Sequence, residues 1–173
     1  MNELKINSQN KRTIEYGGIS KEDLLEKLQA SGIRLNSFAE IIFSSEFFKT
    51  SIYKHAIQIA EISIGELGFD NGATIPEIKG RIKSFGLAEC PLELAPYLRL
   101  KFPDQQEVID GSAKQNQSPP GAVTIFSELV TNDDDFPKGF YLRKIDGELW
   151  LRGFTCSMDF VWNREDRLIF KVK

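Results

Sequence analysis

Hydrophobic and polar residues alternate most clearly between residues 139 and 153. Two alternating runs flank Asp146-Gly147, a dipeptide that strongly favours a two-residue hairpin turn. With that turn, Arg143 faces Trp150 and Tyr141 faces Arg152. One side of the ribbon is then apolar and the other combines aromatic rings with guanidinium groups. The apolar side comprises Phe140, Leu142, Leu149 and Leu151, and the other side, the aromatic–arginine ladder, comprises Tyr141, Arg143, Trp150 and Arg152.

Apolar residues recur every three to four positions in three N-terminal segments, which predicts three helices. Ser20 is the predicted N-cap of the first helix, and Gly32 ends it. Ser37 and Glu40 form a predicted capping box for a second helix that runs to about Lys49, with Phe38, Ile41, Ile42 and Phe48 on its buried face. A third helix runs from Thr74, with Glu77 as its box partner, to Gly86.

Other segments alternate as strands do. Residues 56–64 contain two isoleucine pairs with a one-residue slip between them, which favours a strand with a bulge over a helix. Residues 97–102, 122–130 and 167–172 are also predicted strands. Successive strands joined by short turns indicate an antiparallel meander.

These elements predict an α+β fold in which N-terminal helices pack on a mostly antiparallel, C-terminal β-sheet. Residues 1–18 form a predicted polar arm, with a short strand at Leu4–Ile6 or at Thr13–Tyr16. Residues 19–173 form one predicted domain. It divides into a helical half (19–102), a long loop (103–121) and a β-rich half (122–173).

Composition narrows the classes of function. The chain of 173 residues carries a net charge of −3, which disfavours nucleic-acid binding because phosphate contacts supply most of that affinity. No apolar run approaches the ~20 residues that span a bilayer. Two cysteines, Cys90 and Cys156, give no disulfide framework. A reducing, cytoplasmic location and free thiols are the expectation.

Familiar catalytic and metal-binding patterns are missing from the sequence. His55 is the only histidine and has no motif around it, and no C-x-x-C pair or nucleophile elbow is present. Asp133-Asp134-Asp135 lacks the alternation of a calcium loop and is interpreted as a solvated turn. No phosphate-binding loop occurs. We therefore predict no cofactor, no metal and no catalytic residue.

Residues 57–85 allow an alternative interpretation as a helix-turn-helix. Lys79, Arg81 and Lys83 would then lie on the second helix. The connection from Gly68 to Ala73 is long for this motif, and the chain is acidic.

Residues 56–173 resemble a signature of uncharacterised bacterial proteins. The segments that carry the resemblance are Glu66-Leu-Gly-Phe69, Gly72-Ala-Thr74, 78–87, Glu89-Cys-Pro91, Leu98-Arg-Leu100, Asp104-Gln105, 147–151, Val161-Trp162 and 167–170. Some members carry helicase-like labels, but this chain lacks the required phosphate loop. The resemblance implies a bacterial cytoplasmic protein without a known mechanism. It adds Cys90-Pro91, Arg99 and Trp162 as residues to probe.

The leading hypothesis is a non-catalytic binding or regulatory module that recognises a protein or a small ligand. Its predicted contact residues are Tyr141, Arg143, Trp150, Arg152, Arg99 and Trp162, with the 104–121 loop as a lid. A hydrolase or transferase with a cleft of carboxylates and Arg99 is one alternative, and nucleic-acid binding through residues 57–85 is another.

Overall fold

The computed structural model describes residues 11–109 and 118–173. These residues form an α+β fold, as predicted, with four helices and a curled sheet of eight strands. The helices are α1 (Lys21–Ala30), α2 (Ser37–Ser44), α3 (Ile75–Ser84) and α4 (Leu94–Lys101). The strands are β1 (Lys11–Gly17), β2 (Arg34–Leu35), β3 (Lys54–Ser63), β4 (Leu87–Ala88), β5 (Val123–Ile125), β6 (Gly139–Ile145), β7 (Glu148–Phe154) and β8 (Arg167–Val172).

The sheet is mixed and draws strands from both halves of the chain. Its order is β1-β3-β8-β5-β6-β7-β2, and β4 also pairs with β8. The pairs β5–β8 and β2–β7 are parallel, whereas the others are antiparallel. The predicted C-terminal sheet is therefore wrong in its composition, because the sheet includes strands from the N-terminal half, and its two parallel pairs make it mixed. The alternation of a strand identifies its faces but not its partners.

The sheet is buried on both faces for part of its width. We call the side that carries Leu142, Leu151 and Ile169 the first face, and it packs against α1, α2 and α4. The side that carries Leu168 and Phe170 is the second face, which packs against α3 and Trp162. The fold is thus a sheet between two unequal layers.

Residues 56–63 lie in strand β3, as we favoured, but without the predicted bulge. β3 keeps an unbroken register with β1 and with β8. The slip between the isoleucine pairs reflects a change of buried face: Ile57 and Ile59 pack in the first core, while Ile62 and Ile64 pack in the second. Because this segment is a strand, the helix-turn-helix interpretation is wrong.

The predicted strand at 97–102 is wrong, because these residues belong to α4 and its C-terminal end. Leu94 and Leu98, four positions apart, are fully buried, and so is Arg99. Pro96 lies in the first turn, where a missing amide proton costs little. Because the buried position 99 is an arginine, the apolar residues of this segment did not show the spacing of a helix.

The helix starts agree with the sequence at α1 and α3. The Ser20 hydroxyl accepts a hydrogen bond from the Asp23 amide at 3.1 Å, and the Glu77 carboxylate accepts one from the Thr74 amide at 2.8 Å. The cap of α2 is instead Asn36, whose Oδ1 accepts from the Ala39 amide at 3.0 Å. α2 also ends at Ser44, before the predicted Lys49.

Two strand boundaries differ from prediction. Most of the predicted polar arm that the structure describes is β1, which pairs antiparallel with β3. The alternative strand at Leu4–Ile6 lies outside the described residues. The predicted strand 122–130 is shorter and spans Val123–Ile125.

Within residues 11–109 and 118–173, no helix combines the length and the apolar character needed to cross a membrane.

Candidate functional site

The β6–β7 hairpin has the predicted register. Tyr141 pairs with Arg152 and Arg143 pairs with Trp150. Asp146 and Gly147 have φ angles of 51° and 77°, as a type I′ turn requires. The Glu107 carboxylate accepts hydrogen bonds from the amides of Asp146, at 2.5 Å, and Gly147, at 3.0 Å. The long loop thus holds the hairpin tip in place.

The aromatic–arginine ladder divides into two parts. Arg152 donates a hydrogen bond from Nε to the Tyr141 hydroxyl at 2.8 Å, and Tyr141 is 8% exposed. Trp150 is half-buried, with the Arg152 guanidinium carbon 5.0 Å from its ring centroid and that of Arg34 at 5.8 Å. Arg34 is neutralised by Glu148, 3.3 Å away. Tyr141 and Arg152 belong to a cleft, whereas Trp150 and Arg143 stand outside it.

The cleft, which we call the sheet cleft, opens on the second face and has a volume of about 480 Å³. Three adjacent strands supply its floor: Thr124 from β5, Tyr141 from β6 and Arg152 from β7. The walls come from the end of the long loop, the start of α2, the end of β7 and the segment that follows β7. They comprise Asn36, Phe38, Ser118, Pro119, Ala122, Gly153, Phe154, Thr155, Cys156, Ser157, Phe160 and Trp162.

Arg152 is the only charged residue among the lining residues that the structure describes. Hydroxyl groups also line the cleft, from Thr124 and Tyr141 on the floor and from Ser118, Thr155 and Ser157 in the walls. Arg152 forms no ion pair within the described residues. The hydrogen bond from Nε to Tyr141 and the contact with the Trp150 ring fix the position of this guanidinium at the cleft. A planar guanidinium in this setting complements a carboxylate or a phosphate.

Aromatic rings form the other end of the cleft. Trp162 is 4% exposed and packs edge-to-face against Phe154 and Phe160, with centroids 5.6 and 5.5 Å apart. Its buried Nε1 has no hydrogen-bond partner among residues 11–109 and 118–173. The cleft therefore places a cation and an apolar aromatic wall within one cavity.

Asn36 attaches the start of α2 to the floor of the cleft. Its amide group donates to the Gly153 carbonyl at 3.0 Å and accepts from the Gly153 amide at 2.8 Å. The same Oδ1 caps α2 through Ala39. This double contact places Phe38 at the cleft and keeps the helix backbone against β7.

Cys156 lines the cleft, and burial raises its pKa to about 11. Because the thiolate is the reactive form, we expect alkylation by iodoacetamide at pH 8 to be about 100-fold slower than for free cysteine. The rate should continue to rise between pH 9 and 11, where an ordinary thiol has levelled off. Mass spectrometry of the intact protein measures this rate.

Cys90 is the internal control for that measurement. It is fully buried, and burial raises its pKa to about 12, so it should react only when the chain unfolds. Alkylation of Cys156 at pH 8 as fast as that of glutathione would contradict the expected burial of this thiol.

The structure brings together three of the six predicted contact residues: Tyr141, Arg152 and Trp162. Arg99 lies toward the first face and is fully buried. Its guanidinium donates to the Phe102 carbonyl and to Gln105 Oε1, the latter at 2.5 Å, so it has no surface to offer a ligand. The predicted lid spans 104–121, of which 110–117 lie outside the described residues, while Ser118 and Pro119 form part of the cleft wall.

Sequence reasoning missed most of the cleft lining. Thr124 lies in a predicted strand and Phe154 at the end of the predicted hairpin, but no motif marks them or Phe160 as cleft residues. Asn36 could have been predicted as the N-cap of α2, since asparagine is a common residue at that position.

The other candidate residues do not form a site with the cleft. His55 is exposed, its Nε2 lies 2.8 Å from the Ser51 hydroxyl, and its ring stacks on Tyr16. Asp133 and Asp134 are exposed in a turn, where Asp134 pairs with Lys138 at 3.5 Å. The described residues contain no group of three or more metal-ligating side chains.

The chain matches no protein-family model, and no curated protein or solved structure shows significant similarity to it. The resemblance to uncharacterised bacterial proteins therefore stays a prediction.

Proposed function

We propose that the protein is a non-catalytic binding module whose sheet cleft holds a ligand with a carboxylate or phosphate group and an apolar or aromatic body. One observation carries this proposal: Arg152 faces the cleft with its Nε fixed by Tyr141 at 2.8 Å, and no other charged residue lines the described part of the cleft. The arginine is thus oriented before a ligand arrives, which reduces the entropy lost on binding.

The size and composition of the cleft support a small ligand or a terminal group. About 480 Å³ lies within the usual range of ligand sites, roughly 300 to 1,000 Å³. A few polar groups and several aromatic rings are also the usual composition of such sites. The hydroxyls of Thr124 and Tyr141 are available to complement the oxygen atoms of the ligand.

The lining favours binding over a hydrolase or transferase. Efficient proton transfer at neutral pH generally uses histidine, aspartate, glutamate or lysine. None of these lines the cleft in the part of the chain that the structure describes. Arg99, the arginine of the enzyme hypothesis, is buried on the other side of the sheet.

Protein-observed NMR with matched probes tests the proposal. Benzoate and phenyl phosphate carry the anion, whereas benzamide has the same ring without the charge. We expect the two anions to shift the amide signals of Thr124, Arg152 and Thr155 at millimolar concentrations, and benzamide to shift them far less. Equal responses to all three probes, or shifts confined to other surfaces, would overturn the proposal.

Replacing Arg152 with glutamine should weaken benzoate and phenyl phosphate binding at least tenfold. A hydrogen bond to a charged group contributes about 1.5 to 3 kcal/mol, which corresponds to roughly a 10- to 150-fold change in affinity. The measurement is an NMR titration with each anion.

Arg143→Gln is the matched control for Arg152→Gln. Arg143 lies on the same face of the same hairpin but does not line the cleft. We expect its replacement to change affinity less than twofold. Equal losses in both variants would indicate a general charge effect instead of recognition in the cleft.

A further inference from the structure

We infer that the natural ligand of the sheet cleft is the free C-terminus of a polypeptide partner, with an apolar terminal residue and a second apolar residue two positions before it. This inference rests on the proposed function, because it assigns Arg152 to the terminal carboxylate. It adds a second contact surface, on α2, that a small anion would not reach.

Two apolar side chains are exposed next to each other on α2. Phe38 is 37% exposed and Ile41 is 45% exposed, and residues three positions apart lie next to each other on a helix surface. The inward side of the helix is also apolar, since Ala39, Ile42 and Phe43 are buried. The other exposed positions of α2 are polar, so the Phe38–Ile41 pair is the part of the helix that would contact an apolar side chain of a partner.

Phe38 connects this surface to the sheet cleft. It lines the cleft and is also the first residue of the exposed apolar pair on α2. A ligand that begins at Arg152 and leaves the cleft past Phe38 therefore continues onto Ile41. The contact of Asn36 with Gly153 fixes the start of the helix at this position.

A polypeptide C-terminus fits both parts. Its carboxylate supplies the one negative charge that Arg152 accepts, and capture of a terminal carboxylate is a recurring mode of peptide recognition. The terminal side chain would enter the aromatic end of the cleft, beside Phe160. In an extended peptide, side chains two residues apart point the same way and are separated by about 6.6 Å. The side chain two positions before the terminus would therefore meet the α2 surface, which begins at Phe38 in the cleft wall.

Four probes test this inference by calorimetry on the full chain. They are acetyl-Ala-Leu-Ala-Phe with a free carboxylate, the same peptide as an amide, the peptide with serine in place of leucine, and N-acetylphenylalanine. We expect the free acid to bind at least tenfold more tightly than the amide. It should bind about fivefold more tightly than either the serine peptide or N-acetylphenylalanine.

Ile41→Ser should remove the fivefold advantage of the leucine peptide and leave the affinity for N-acetylphenylalanine unchanged. Ile52→Ser is the matched control, because Ile52 is 79% exposed and lies outside α2 and the cleft lining. It should change none of the affinities. Both side chains are substantially exposed, so neither substitution should unfold the protein, and thermal melting checks this.

The outcomes separate the two proposals. If N-acetylphenylalanine, benzoate or phenyl phosphate binds but the leucine peptide binds no more tightly than the serine peptide, the polypeptide inference is wrong and the proposed function stands. If no carboxylate or phosphate probe binds through Arg152, both are wrong. An effect of Ile52→Ser equal to that of Ile41→Ser would also overturn the assigned α2 surface.

Discussion

Replacing Gly153 with alanine is expected to lower the free energy of unfolding by about 3 kcal/mol, at the upper end of the usual cost of overpacking. A Cβ atom at this position would lie 2.6 Å from the carbonyl carbon of Phe38 and 2.7 Å from the amide nitrogen of Ala39. Both are backbone atoms of α2, so no side-chain rotation relieves the contact. The helix would have to move away from β7 and stretch both hydrogen bonds between Asn36 and Gly153. Urea denaturation, monitored by circular dichroism, measures the decrease in the free energy of unfolding.

Gly80→Ala is the matched control. Gly80 is exposed inside α3, and a Cβ there would contact nothing within 4 Å. The same substitution should stabilise the protein by about 0.5 to 1 kcal/mol, because alanine restricts the unfolded chain and favours the helix. If Gly153→Ala were as stable as the wild type, α2 would not lie against β7 as closely as described.

Replacing Arg99 with methionine is expected to lower the free energy of unfolding by about 3 kcal/mol. The substitution removes the donor to the part-buried Phe102 carbonyl and the partner of Gln105, and an acceptor that loses its donor away from water costs about 1 to 3 kcal/mol. Gln105 in turn donates to the carbonyls of Gly121 and Leu142, at 3.0 Å each. Losing Arg99 therefore loosens the connection between α4, the long loop and the hairpin.

Burial of the Arg99 guanidinium is itself unfavourable, which limits how much the free energy of unfolding falls when the arginine is replaced. It lowers the pKa of the guanidinium to about 10, because a charge is less stable away from water. The substitution removes this cost along with the hydrogen bonds. Arg99→Lys separates the two effects, since lysine retains the charge but lacks the planar fork of donors. We expect Arg99→Lys to be nearly as destabilising as Arg99→Met. If both variants unfold at the same urea concentration as the wild type, the hydrogen bonds of Arg99 and Gln105 do not have the stabilising role assigned to them.

The hairpin was predictable because residues close together in the sequence determine its turn and its register. Asp146-Gly147 selects the turn, and the turn then sets every pair from Tyr141–Arg152 to Ile145–Glu148. The exposure of the ladder was not predictable in the same way. Tyr141 is buried at the floor of a cleft whose walls come largely from residues 118–122 and 155–162, and no sequence pattern places those segments beside the hairpin.

The errors elsewhere have physical causes. Alternation in a strand is read as one buried and one exposed face, but β3 buries one face at its start and the other at its end. In α4, Arg99 occupies a core position that the pattern interprets as polar surface. The parallel pairing of β5 with β8 joins residues more than forty positions apart, and the sequence of neither strand indicates which strand it pairs with.

The position of β8 in the sheet has a consequence for folding. β1 and β3 form one group of strands, β5, β6, β7 and β2 form another, and in the described sheet β8 is the strand that joins them. Until residues 167–172 have been synthesised and paired, the two groups share no ladder of backbone hydrogen bonds. Such distant pairings slow folding, because the entropy of closing the intervening chain is lost before the contacts form. The floor of the sheet cleft includes β5 and therefore becomes part of a continuous sheet only in this late step.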